Sequence, residues 1–161
     1  MDPEYLKKLA FSYSKEKDFD KIQVKWNGKH GQEFYDANDN FRIQLCQFII
    51  PQIDKVNIEL IRDLYMEFAK TSEATFGVFL DLNILAQELL TRGGTSYLMD
   101  YLKGASYTMD TYGRSGQIRI NKDLAQEIFS YIQKKLKETT NNEERILLEQ
   151  IGLKRFQYWA K

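Results

Sequence analysis

Apolar residues recur along most of the chain at intervals of three and four, the spacing of an amphipathic helix, and two stretches interrupt that rhythm. Tyr5, Leu6, Leu9 and Tyr13 follow Asp2 and Pro3, a cap and a first-turn proline, and predict a helix over residues 3–15. Phe41, Leu45, Phe48 and Ile49 predict another, which Pro51 disturbs. Over residues 57–70, Ile61, Leu64, Tyr65 and Phe68 share one face, and Glu59, Asp63 and Lys70 lie opposite. Residues 74–91 follow, in which Val78, Phe79, Leu82, Leu85, Ala86, Leu89 and Leu90 cover a broad arc. Such an arc is satisfied by burial from several directions, so this helix is expected at the centre of the fold.

Gly93 and Gly94 are expected to end that helix, Thr95 or Ser96 to cap a short one through Lys103, and Gly104 to stop it. Asn121 then caps a helix in which Leu124, Ile128, Ile132 and Leu136 recur every fourth residue. The last helix starts at Asn141 and Asn142. Its apolar side is read as Leu147, Leu148, Ile151, Tyr158 and Trp159, with Gly152 as a break.

The two interruptions are residues 21–35 and 106–120. In the first, Ile22, Val24 and Trp26 alternate like a strand, while Phe19, Ile22 and Trp26 also fit a helix ending at Gly28. In the second, Tyr107, Met109 and Thr111 precede a glycine-bearing turn and the alternating Ile118 and Ile120, a pattern that suits a hairpin or an ordered loop. The expected fold is mainly α. It is a single domain over residues 1–161, a compact bundle or short stack of about six to seven helices with one or two short β-hairpins or ordered loops.

Composition narrows the function classes. Ten Phe and ten Tyr supply apolar area for a core, and the mean hydropathy of −0.52 is that of a soluble chain. Basic and acidic residues balance at 23 each with no basic run, so nucleic acid is not an expected partner. No apolar stretch is long enough to span a membrane, and no lipidation signature stands at either end. Cys46 is the sole cysteine and the first residues are too charged for a secretory signal, which together suggest a cytoplasmic location.

His30 is the only histidine, so the usual zinc and di-iron ligand sets cannot be assembled, and neither a metal nor a cofactor is expected. Glu59, Asp63 and Glu67 align at intervals of four, but Arg62 and Lys70 beside them give the look of a solvated face. A Cys46–His30 nucleophile has no local support, because Cys46 sits among core residues. Asn83 and Gln87, one turn apart, read as satisfied polar groups rather than ligand contacts.

The most distinctive chemistry falls in residues 92–116. Arg92, Thr95 and Ser96 flank a glycine pair that can end one helix and start the next, an arrangement that also presents N–H groups to an anion without matching a phosphate-loop motif. Tyr107, Tyr112 and Arg114 add the rigid, polar-tipped side chains of recognition surfaces. These six residues are the candidate binding set. The expected function is a non-catalytic, cytoplasmic protein-interaction domain of adaptor or inhibitor type, with a protein as partner. The alternative is a small-molecule-binding protein or enzyme with a polar pocket near residues 92–116.

Overall fold

Helix starts follow the capping residues closely. In the computed structural model, which describes residues 2–161, the carboxylate of Asp2 accepts the Glu4 N–H at 3.0 Å. Asn57, Asn121 and Asn141 likewise cap the helices that follow them. The helices in order are α1 (Pro3–Ser12), α2 (Lys15–Ile22), α3 (Asp39–Ile49), α4 (Ile58–Thr75), α5 (Leu82–Gly93), α6 (Leu98–Ala105), α7 (Met109–Ser115), α8 (Lys122–Glu138), α9 (Asn142–Leu147) and α10 (Lys154–Trp159). A π-helical stretch, Leu148–Leu153, joins α9 to α10 without a break in helical backbone, so Gly152 does not divide this helix. The chain is a mainly α-helical bundle, and no described helix is long and apolar enough to cross a membrane.

The core is built around α4 and α5, which pack on each other and on α6 and α7. Leu82, Leu85 and Leu89 are wholly buried, as the broad arc of α5 requires. That helix begins later than expected, at Leu82, and Phe79 stands in the preceding connection. There its ring stacks on Phe68 with centroids 3.9 Å apart, so an apolar contact is made without helical backbone.

Several local expectations are corrected. The stripe of Glu59, Asp63 and Glu67 is solvated only at Glu59, which is exposed; Asp63 and Glu67 are 3% and 1% exposed. Asp63 accepts the Tyr13 hydroxyl at 2.7 Å and Glu67 accepts the Val24 N–H at 2.7 Å, so both carboxylates anchor the N-terminal segments to α4. Charge alone could not reveal this. The first helix closes at Ser12 and a new one opens at Lys15, and α2 ends at Ile22 rather than at Gly28.

Neither interruption forms a hairpin. Residues 24–36 are a loop closed by one bridge, Trp26 to Asp36, and carry a single 3-10 turn. In residues 106–120, Thr108 and Thr111 form a reciprocal capping box that starts α7. Residues 118–120 carry no regular secondary structure, and there the Gln87 amide both donates to the Arg119 carbonyl and accepts its N–H, each at 2.6 Å. An α5 side chain thus takes the place of a partner strand. Thr95 and Ser96 lie in a 3-10 turn and cap nothing. Gly104 does not stop a helix but lies within α6, where a Cβ would stand 2.2 Å from the Tyr65 ring.

Candidate functional site

The six candidate residues separate into two groups. Arg92 is committed to the fold: its guanidinium donates to the Ile53 and Val56 carbonyls at 3.0 and 2.8 Å, holding the end of the 3-10 segment after α3. Thr95 and Ser96 stay in the turn beyond α5 and line neither of the hollows to which Tyr107 and Tyr112 contribute. Tyr107 and Tyr112 do come together, on one wall of a groove. Arg114 shares α7 with Tyr112 but lines neither hollow, and donates to the Gln117 side chain at 2.8 Å.

The groove runs between the α6–α7 junction and the C-terminal helix. It consists of two adjoining hollows of about 510 and 320 Å³ that share Tyr112 and Lys154. Tyr107 and Met109 face Gln150 and Ile151 of the π-helical stretch in the first, and Gly113 and Gly116 face Tyr158 and Trp159 in the second. Its two ends carry unusually exposed apolar side chains, Met109 at 83% and Tyr158 at 75%.

A buried polar network fixes these walls. Tyr65 donates its hydroxyl to the Tyr101 carbonyl at 2.9 Å and meets the Ser115 hydroxyl at 2.8 Å, while the Tyr101 hydroxyl donates to the Ser115 carbonyl at 3.0 Å. Burial pushes the Tyr101 phenol up to about 12, against the pull of the neighbouring Arg155. Arg155 donates to that phenol oxygen at 2.6 Å and to the Tyr112 carbonyl. Its guanidinium carbon lies 4.1 Å from the centroid of the Tyr112 ring, so the same arginine holds the backbone and the face of the residue that divides the two hollows.

The C-terminal wall was not legible in the sequence. Tyr158 reads there as part of an apolar helix face, yet it is exposed. The π-helical stretch supplies the reason, because an added residue per turn shifts every later position around the axis. Gly113 reads as a turn residue but is helical, and a Cβ there would meet nothing within 4 Å.

A second cleft of about 500 Å³ lies between the loop carrying Trp26, His30 and Phe34 and the second half of α4. Its buried carboxylate, Glu67, is already occupied by the Val24 N–H and the Lys70 ammonium. The Trp26 indole donates to the Lys29 carbonyl at 2.6 Å, and His30 packs edge-on against it. These contacts hold the loop closed. Cys46 is wholly buried, and burial, with the Asp81 charge adding to it, pushes its thiol well above the usual range, the reverse of what a nucleophile needs. Among the described residues no group of three or more His, Cys, Asp or Glu converges as a metal site.

Comparison with protein-family models, with curated proteins and with solved structures gives no match.

Proposed function

We propose that this protein is a non-catalytic interaction domain whose docking surface is the groove between α7 and the C-terminal helix. The observation that carries this reading is the exposure of Met109 and Tyr158, one in each of two hollows that share Tyr112 and Lys154, on walls pinned by the network of Tyr65, Tyr101, Ser115 and Arg155. Aromatic and methionine side chains are enriched where proteins meet, and a preordered surface loses little entropy on binding. A groove with apolar anchors at both ends fits a protein segment, and a role as adaptor or inhibitor follows from binding without chemistry. A cytoplasmic setting belongs to the same reading, supported by a sole cysteine that is free and buried.

The test is site-specific photo-cross-linking in the cells that make the protein, with a photoreactive phenylalanine analogue at Met109, at Tyr158 or, as a control, at the exposed Tyr35. A discrete protein adduct is expected from the first two positions and not the third. Gly113→Gln should abolish it without lowering the unfolding temperature, because the new side chain enters the groove from a position with open space around it. Equal adducts from Tyr35, or adducts indifferent to Gly113→Gln, overturn the proposal.

A further inference from the structure

We infer that the occupant of the groove presents a carboxylate to Arg155 and Lys154, so that the partner segment is acidic with an apolar neighbour. The inference rests on the groove being the docking surface. Two arginines are buried among the described residues, and the fold treats them differently. Arg42 is met by two carboxylates, Asp36 at 2.5 Å and Asp39 at 3.0 Å. Arg155, only 8% exposed, has none: its guanidinium donates to a phenol and a carbonyl oxygen, both neutral. A buried charge ordinarily has a counter-charge, because removing it from water is otherwise uncompensated.

The missing charge has a place to come from. Arg155 lines the second hollow beside Lys154, and no Asp or Glu lines either hollow. Among the described residues Lys154 and Arg155, the two cationic side chains of the lining, take part in no ion pair. The protein is neutral overall, so this uncompensated positive lining is a local property. A guanidinium carries five N–H donors in a planar fork, and a carboxylate matches such a fork with two oxygens. Ile151 and Trp159 on the walls call for apolar surface next to that carboxylate.

The experiment titrates the isotope-labelled full chain, observed by NMR, with hydrocinnamate, which joins a carboxylate to an aromatic ring. Hydrocinnamide, phenethylammonium and phenyl phosphate serve as matched probes. Hydrocinnamate is expected to shift the amides of Gly113 and Gly116 and the side-chain N–H signals of Arg155. The amide should bind about tenfold more weakly, since a charge-assisted pair is replaced by a neutral one, and the ammonium more weakly still. Lys154→Gln, at an exposed position, should weaken hydrocinnamate without changing the unfolding temperature. Equal binding of acid and amide, or hydrocinnamate shifts outside the groove, overturn the inference. Tighter binding of phenyl phosphate also overturns it, in favour of a phosphorylated partner. Cross-linking from Met109 and Tyr158 that persists alongside any of these results leaves the docking surface standing and removes only its charge preference.

Discussion

Arg42 has no exposed surface and lies at the end of a short chain of contacts that closes the loop over residues 24–36. Its guanidinium donates to the Ile22 carbonyl at 3.1 Å as well as to Asp36 and Asp39. Asp36 in turn accepts the backbone N–H groups of Lys25 and Asn38 at 2.8 and 3.0 Å. Burial alone would raise the Asp36 carboxyl, but the Asn38 and Lys25 N–H groups and the Arg42 guanidinium outweigh it and hold the carboxyl below the usual range. A depressed folded value means that this stabilisation is complete above the unfolded carboxyl value, about 3.9, and is lost as pH falls through the folded one. Asp36→Asn should therefore destabilise at neutral pH, by less than the ~3–5 kcal/mol of a fully stranded buried charge, because Asp39 still pairs with Arg42. The cost should begin to shrink below about pH 4, where the carboxyl of the unfolded chain gains its proton, and should disappear only as the pH falls through the lower folded value. Urea denaturation of both proteins across that range is the check, and a cost independent of pH would mean that the charge is not what matters.

Element by element, glycines show how far pattern reading reaches. In the sequence Gly104 reads as the end of a short helix and Gly113 as a turn residue, yet both lie inside helices, with opposite surroundings. A Cβ at Gly104 would overlap the Tyr65 ring, which is wholly buried and held by the Tyr101 carbonyl and Ser115. Gly104→Ala should thus destabilise by about 1–3 kcal/mol through overpacking. At Gly113 the same change meets open space and should stabilise by roughly 0.5–1 kcal/mol, the helix preference of alanine over glycine. Thermal unfolding of the two variants should move in opposite directions. The helices themselves were legible because α4, α5 and α8 repeat apolar residues at helical spacing and carry Asn caps or glycine ends. What was hidden depends on contacts between distant residues: Asp63 and Glu67 look solvated until Tyr13 and Val24 are placed against them. The groove was half legible, since Tyr107 and Tyr112 announce themselves by residue type, whereas Lys154, Arg155 and Tyr158 reach it through a π-helical shift that no periodic template contains.

At the scale of the whole molecule, the positions of its titratable groups make a prediction about binding. Histidine is the side chain whose ordinary titration falls between pH 5 and 8, and the only histidine, His30, lines the other cleft and neither hollow of the groove. The groove is instead surrounded by Lys154, Arg155 and the phenols of Tyr107, Tyr112 and Tyr158. A carboxylate ligand should then bind with an affinity that stays level from about pH 8 to about pH 5.5 and falls only as its own carboxyl gains a proton, near the ordinary value of about 4.3 for a glutamate-like acid. The direction follows from the charge that is lost: protonation removes the ligand's negative charge and leaves the cationic lining without its counter-ion. Hydrocinnamate titrations at a series of pH values measure this, and His30→Gln should leave the profile unchanged. A pH dependence above the titration of the ligand's own carboxyl that disappears in His30→Gln would place the ligand in the cleft beside Trp26 and Phe34, and the loop over residues 24–36, closed by Asp36 and Glu67, would then have to open to admit it.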